Sequence, residues 1–485
     1  MSMDQIHQKT IRASKWSTLT EIAVKLVQPI SNLILVRILA PEAFAAVATI
    51  NMIVSFADIF TDAGFQRYII QRDYESEEKK DLTVNVAFWT NLGISVFLWA
   101  MIYLCKAPLS GFVGAPDLAM GIVIAALSLL MTAFSSIQMA LFKRDFNFKI
   151  LFYTRIFSAI MPLLITIPLA LLGFDYWAIV IGTLFGRLFD AVFLTVLSKW
   201  KPRFVYSFRE LKRMFSFSMW SLLESLSTWL TVWIGVFIVG LHLSDYYTGI
   251  YTTVINTVNS IMSIIVSATQ SVLFSSLSRL KDDREEYLKM FHAFQRATAM
   301  FVLPIGIGMF VFQRPITDLL LGEVWAEGAP LFGIWGLCYS FSIIFGNLIS
   351  SIYQSLGRPK LSVLAQILHI IVLAPVCYYF AGGDFVVLSY ARALSRFQFI
   401  LVHFLIIYFV LKISPWKMIK NIHTYLFAAV IMGAVGMLLQ SRSPGTLVSV
   451  VFIGICACVY FGCLLIAPKT RKELLKFAKK VLTRG

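Results

Sequence analysis

The chain has 485 residues, of which 58% are apolar, 14% aromatic and 14% charged, against a charged share of about 25% in soluble domains. A water-soluble enzyme of this size is excluded, because that much apolar surface cannot be hidden from water, and a disordered chain is excluded for the same reason. The net charge of +16 would suit nucleic acid in a soluble protein, but its distribution along the chain assigns it to an anionic membrane surface.

Apolar runs lie at 15–38, 43–65, 82–105, 117–142, 150–172, 176–198, 214–240, 247–278, 294–320, 330–356, 361–381, 385–411, 424–440 and 447–467. Each is long enough to cross about 30 Å of hydrocarbon as a helix. Alternating segments of about ten residues, the mark of a β-barrel, do not occur. The expected fold is therefore an all-α polytopic membrane protein of fourteen transmembrane helices. The run at 247–278 exceeds one simple span, so its last turns should protrude into solvent.

Lysine and arginine fall on alternate sides of these runs. Segments 1–15, 66–81, 143–149, 199–213, 279–296, 357–360, 412–423 and 468–485 carry 33 of them. The opposite side carries Arg37, Lys106, Arg314 and Arg442, and Lys25, Arg155, Arg187, Arg392 and Arg396 lie inside spans. Cytoplasmic loops are the basic ones, so both termini are expected in the cytoplasm. Residues 1–15 are polar, and the run after them is too long for a signal-peptide core. In the tail, Leu474, Leu475, Ala478, Val481 and Leu482 share one helical face among basic residues, as in a helix lying on an anionic leaflet; a plain topology anchor is the other reading.

The outer loops are short, the longest being about 107–116, which leaves no room for an ATPase or catalytic domain. No GxxxxGK[ST] occurs, and no cofactor, metal or nucleic acid is expected. The acidic runs Asp282–Glu286 and Asp73–Asp81 are interleaved with Lys and Arg and read as solvated faces. The six cysteines form no CxxC pair and read as small core hydrophobes.

The chain resembles itself at an offset of 203 residues. Trp16-Ser17 precedes Glu21 as Trp220-Ser221 precedes Glu224; Phe44-Ala45-Ala46 matches Tyr247-Thr248-Gly249, and Glu42 matches Asp245. Six spans separate the copies, so both have one orientation, as in transporters built from parallel repeats. The expected organisation is an N-lobe at 1–200, a C-lobe at 201–411, and two further spans with the basic tail at 412–485.

Ionisable side chains inside spans are costly and usually face a partner or a water-filled cavity. Glu21 and Lys25 are i,i+4 neighbours, and Arg187 and Asp190 are i,i+3 neighbours; each pair is either a structural ion pair or part of a site. Asp58 and Asp62 lie near the cytoplasmic end of span 2, where a capping role competes. Arg155 lies at a similar depth in span 5 and could pair with Asp58. In span 12, Arg392, Arg396 and His403 share a stripe without an acidic residue. Two arginines one turn apart repel unless something anionic comes between them, and a guanidinium fork fits phosphate oxygens. Glu224 has no basic neighbour at helical spacing and is a candidate to carry a coupling proton or Na⁺. His369 reads as a packing residue. The series Thr252, Thr253, Asn256, Thr257, Asn259, Ser260 and Ser263 either lines a cavity or bonds between helices.

Several stretches, in order, resemble the Wzx-type flippases of the multidrug/oligosaccharidyl-lipid/polysaccharide exporter superfamily, the WzxC-like polysaccharide flippases in particular. They are VRILAPEAFAAVA (36–48), FTDAGFQRYIIQR (60–72), ALFKRDFNFK (140–149), GFDYWAIVIGTLFGRL (173–188), LFSSLSRLKDD (273–283), LLLGEVWAEGAPLFGIWGL (319–337) and GNLISSIYQSLGRPKLS (346–362). Ala46 replaces a frequent Gly, and Ser275 stands where Pro is common. The resemblance implies a MATE-like fold of two six-helix lobes around a cavity. It also implies flipping of undecaprenyl-pyrophosphate-linked oligosaccharide to the outer leaflet, and no enzymatic activity. Cavity residues expected to meet pyrophosphate or sugar are Arg392, Arg396, Arg187, Lys25 and Arg155; those expected to serve ion coupling are Glu224, Glu21, Asp190 and Asp58. Expected partners are the lipid-linked glycan, anionic lipids and other polysaccharide-assembly membrane proteins. The competing readings are a drug/cation antiporter of the same superfamily, which wants cavity carboxylates, and a membrane glycan polymerase.

The charge asymmetry is tested with alkaline phosphatase fusions, which are active only outside the cytoplasm. Fusions after residues 114 and 443 should be active, and fusions after 205, 282 and 485 inactive.

Overall fold

The computed structural model describes residues 20, 23–24, 27, 29–62, 65–72, 74–145, 147–280, 282–358, 360–442, 445–468, 470–471 and 473–474. Every regular element among them is helical. Thirteen helical segments among the described residues are long and apolar enough to cross a membrane. The expected first span falls largely outside the described residues; within it, 29–35 is helical.

The chain forms two compact units, Met1–Thr252 and Thr253–Gly485. The first contains α1 (Pro41–Asp62), the short α2 (Phe65–Gln71), α3 (Glu77–Leu104), the short α4 (Lys106–Phe112), α5 (Ala119–Ala125), α6 (Leu127–Arg144), α7 (Phe148–Leu171), α8 (Tyr176–Leu197), α9 (Phe208–His242) and the start of α10 (Asp245–Arg279). The second contains the rest of α10, α11 (Arg284–Val311), α12 (Gln313–Leu320), α13 (Ala329–Ser342), a π turn at Ile343–Asn347, α14 (Leu348–Ser355), α15 (Lys360–Ala381), α16 (Phe385–Phe409), α17 (Pro415–Gln440) and α18 (Thr446–Ile466).

Two expected spans are interrupted. The run at 117–142 breaks at Ala126 between α5 and α6, and the run at 330–356 carries the π turn. The α10 helix continues unbroken for 35 residues, about 52 Å at 1.5 Å per residue, which is longer than the hydrocarbon layer.

Polar residues at the boundaries start the helices by accepting from otherwise orphaned N–H groups. Ser76 accepts from Lys79 N at 3.2 Å, and Asp384 from Val386 N at 2.8 Å. Asp283 accepts from Glu285 N and Glu286 N, both at 3.1 Å, so this acidic run caps α11.

In unit 1, Arg144 at the end of α6 ties down the end of α2. Its Nη1 donates to the carbonyls of Ile69 (2.7 Å) and Arg72 (2.6 Å), satisfying the end of α2, and its guanidinium lies 4.7 Å from the Tyr74 ring centroid. Burial pushes the Tyr74 phenol above its ordinary range, against the pull of Arg144 and Arg72. Part of the basic asymmetry is therefore structural.

Unit 1 extends to Thr252. The reason is that α9 packs along α1: Trp229 Nε1 donates to Ser55 Oγ at 3.0 Å, and the Trp229 and Phe56 rings lie 4.8 Å apart. Beside this contact an apolar hollow of about 390 Å³ is lined by Met52, Phe56, Phe112, Trp229, Trp233 and Phe237 among others. It has no charged side chain, so it cannot hold an anionic headgroup.

Unit 2 packs around Phe291, Tyr353, Ile407, Tyr425 and Tyr460. One polar network ties the chain end to it. Arg296 Nε donates to Glu473 Oε1 at 2.9 Å and Nη1 to Asn421 Oδ1 at 2.7 Å, while Tyr425 Oη donates to Glu473 Oε2. Of the expected tail helix, Leu475, Ala478, Val481 and Leu482 lie outside the described residues. Cys338, Cys377 and Cys456 are buried as expected, but Cys458, on α18, is exposed.

At the start of α10, a Cβ added to Gly249 would lie 1.9 Å from the Pro41 carbonyl oxygen. The repeat equivalent, Ala46, has its side chain; position 249 has no room for one. Gly249→Ala should therefore cost about 1–3 kcal/mol through overpacking. It should lower the apparent Tm in detergent by several degrees, whereas Ala46→Gly should not. An unchanged Tm for Gly249→Ala would contradict the contact.

Candidate functional site

The site of unit 2 is built from two i,i+4 pairs on neighbouring helices. On α13, Trp335 and Tyr339 share one face; on α16, Arg392 and Arg396 share one face. Glycine sets the position of α13. A Cβ at Gly306 on α11 would lie 2.9 Å from the Gly336 carbonyl oxygen and 2.5 Å from Ser340 Oγ, so α11 and α13 approach at backbone distance, as small residues allow in membranes. Trp335 is directed away from that contact. Its Nε1 donates to Asn259 Oδ1 on α10 at 3.1 Å, and its ring stacks on Tyr339 with centroids 6.0 Å apart and planes 12° apart.

The two guanidiniums meet on this aromatic ladder. Arg392 Cζ and Arg396 Cζ each lie 4.8 Å from the Trp335 ring centroid, and Arg396 Cζ is 5.8 Å from that of Tyr339. Arg392 is 3% exposed and also donates from Nη1 to Ser395 Oγ at 3.4 Å. A cation over an indole face gains about 2 kcal/mol where water is excluded.

Toward the C-terminal end of α16 the polar chain continues. Buried His403 shares a hydrogen bond through Nδ1 with Tyr353 Oη at 3.1 Å, and buried His369 shares one through Nδ1 with Gln398 Oε1 at 2.9 Å. The Phe399 ring lies 4.7 Å from His369 and 4.5 Å from His403, joining the two. A Cβ at Gly346, within the π turn, would lie 3.7 Å from His403 Cδ2. Such turns recur at functional sites.

Unit 2 has no carboxylate in the interior of any described membrane-crossing helix. Its acids are Asp282, Asp283, Glu285, Glu286, Asp318, Glu323, Glu327, Asp384 and Glu473, all at helix ends or in connections. Asp318 pairs with Arg314 at 3.0 Å and Glu473 with Arg296 at 2.9 Å.

The remaining sequence candidates lie elsewhere. Asp190 on α8 accepts a hydrogen bond from Ser158 on α7 and lies in the fields of Arg187 and Arg155. These four residues form one α7–α8 group within unit 1. The neighbour of Asp58 is its own helix: Thr61 Oγ1 donates to Asp58 Oδ1 at 3.0 Å and to its carbonyl at 2.8 Å. Glu224 lies on α9, but its side chain, like that of Asp62, is outside the description, and Glu21 and Lys25 lie outside the described residues. In the polar series of α10, Thr252 and Thr257 bond to carbonyls of their own helix, whereas Asn259 joins the site. Sequence reading missed Trp335 and Tyr339. The signal was there, as an aromatic i,i+4 pair within the glycine-rich stretch 333–339.

Residues 34–330 match a family described as polysaccharide biosynthesis protein. The chain is 25% identical over 333 residues to the succinoglycan biosynthesis transport protein ExoT of Rhizobium meliloti, covering 68% of this chain and 67% of that one. It is 22% identical over 366 residues to the lipopolysaccharide biosynthesis protein WzxC of Escherichia coli, covering 74% and 72%. Among solved structures, it superposes on the lipid II flippase MurJ in an inward closed conformation with a TM-score of 0.74 at 15% identity, covering 94% of this chain and 98% of that one. It superposes on an inward-facing MATE-family multidrug transporter with a TM-score of 0.59 at 13% identity, covering 83% and 96%. The fold is thus MATE-like and the protein a multi-pass membrane protein. Matched by that family model over more than half its length, the chain belongs to the polysaccharide biosynthesis protein family.

Proposed function

We propose that the protein is a flippase that carries an undecaprenyl-pyrophosphate-linked oligosaccharide from the inner to the outer leaflet of a bacterial cytoplasmic membrane. The observation that carries this reading is the Arg392–Arg396 pair, held over Trp335 in a unit whose membrane-crossing interior has no described carboxylate. A diphosphate diester carries two negative charges, and two guanidinium forks match its oxygens. The names of the relatives, which refer to polysaccharide biosynthesis and transport, support the same substrate class. A cation antiporter would place carboxylates where these arginines stand.

In this reading both termini are cytoplasmic. Basic cytoplasmic loops and the tail bind anionic lipids and gather the headgroup. The sugar-diphosphate enters between an N-lobe (1–200) and a C-lobe (201–411), while the polyprenyl chain stays in lipid. The lobes rock in alternating access. Arg187, Arg155 and Lys25 act as secondary anion contacts, and Glu21, Asp58, Asp190 and Glu224 serve the coupling ion. Partner membrane proteins of polysaccharide assembly receive the flipped product.

Depleting the protein should cause an undecaprenyl-linked oligosaccharide to accumulate. Mass spectrometry of lipid extracts would identify it, and a membrane-impermeant glycan label should fail to reach it. Accumulation on the outer leaflet would overturn the reading in favour of a polymerase. Arg392→Ala/Arg396→Ala should insert normally and reduce glycan export by at least about tenfold, each charge-assisted contact being worth about 1.5–3 kcal/mol. Trp335→Ala should reduce export by a smaller factor and Trp335→Phe by less still, since a phenyl face keeps part of the cation–π contact.

A further inference from the structure

We propose that the connection from α8 to α9 in unit 1, residues 198–207, together with the first turn of α9, is a binding site for an anionic phospholipid of the surrounding bilayer. This deepens the anionic-lipid partner given above by assigning it a place, and it does not depend on the headgroup site of unit 2. Charge singles the segment out. Residues 199–213 hold six Lys and Arg against one acid, Glu210, whereas 66–81 hold four against five and 279–296 five against four. Arg213 Nη1 occupies Glu210 at 2.7 Å, and Lys201 Nζ donates to the carbonyls of Thr195 and Val196 at the end of α8. Lys199, Arg203 and Arg209 are exposed and pair with no carboxylate among the described residues.

The connection is fixed along α3. Arg203 N donates to Asn85 Oδ1 at 2.6 Å, and the Arg203 carbonyl accepts from Trp89 Nε1 at 2.8 Å. Thr90 Oγ1 and Tyr206 Oη share a hydrogen bond at 2.9 Å, and the Phe204 ring stacks on Trp89 with centroids 4.1 Å apart. On the inner side, Trp200 meets buried Phe88 edge-on, with centroids 5.7 Å apart. The outer side stays uncovered: Phe204 is 90% and Phe208 79% exposed, and Val205 and Tyr206 are exposed beside them. These side chains cannot turn inward without breaking both bonds to Arg203.

The anchoring residues also set the depth. The charged start of α3 ends at Asp81, and its apolar run begins at Leu82. Asn85 and Trp89 follow Leu82 by about 4 and 10 Å along the helix at 1.5 Å per residue. That is the zone where headgroups meet acyl chains and where Trp and Tyr concentrate. An occupant must therefore offer an apolar end to Phe204 and Phe208 and an anionic end to the three cations. A free phosphate lacks the first, and a neutral phospholipid lacks the net charge. An anionic phospholipid has both: its phosphate oxygens fit the guanidinium forks of Arg203 and Arg209, with Lys199 as a point charge.

The test uses the full-length protein with p-benzoylphenylalanine in place of Phe204, in vesicles of equal phosphatidylglycerol and phosphatidylcholine with the same acyl chains. Ultraviolet light joins the probe to whatever lies against it, and mass spectrometry of the digested protein identifies the adduct. The expected result is an excess of phosphatidylglycerol over phosphatidylcholine adducts of at least about fivefold, the worth of one basic residue near a charged surface. Salt at 1 M, where the screening length is about 3 Å, should shrink that excess without any further substitution. Arg203→Gln/Arg209→Gln in the same background should bring the ratio toward one. Equal adducts of the two lipids at low salt would overturn the inference, as would an excess that neither salt nor a folded double variant changes. Adducts to protein alone, or in cell membranes chiefly to a lipid-linked glycan, would also overturn it. None of these outcomes reads glycan export, so the flippase proposal stands or falls separately.

Discussion

Two guanidinium groups one helical turn apart, inside spans with no described carboxylate, are the constraint around which unit 2 is arranged. Like charges held this close on one helix face repel each other. Each guanidinium has a cation–π contact worth about 2 kcal/mol where water is excluded. That solution demands one aromatic ring within reach of both charges, and Trp335 supplies it. The indole must also be fixed, which Asn259 does at one edge and Tyr339 by stacking. The helix that bears it must be seated closely, which Gly306 and Gly336 allow. Arginine placement, aromatic ladder and glycine packing are three parts of one arrangement.

Much of this was legible in the sequence, because the bilayer leaves few choices. Apolar runs of span length have to become helices, since no water is present to satisfy other backbone conformations. The arginines of span 12 stood out for the same reason: a charge in hydrocarbon is costly enough to be informative. The polar series of α10 was legible only as a class. Thr252 and Thr257 satisfy themselves on their own helix, as threonine can without any tertiary partner, while Asn259, whose amide needs one, found the indole. Spacing alone does not separate the two cases.

Other features depended on tertiary packing that one sequence does not display. Nothing in the run 330–356 marks the π turn at Ile343–Asn347. Arg155 lies in the field of Asp190 through the packing of α7 on α8, a relation that depth along a span does not show. Depth fixes a residue along the membrane normal but not around the helix axis. His369 is fully buried and bonds through Nδ1 to Gln398, a partner that spacing along one sequence does not display.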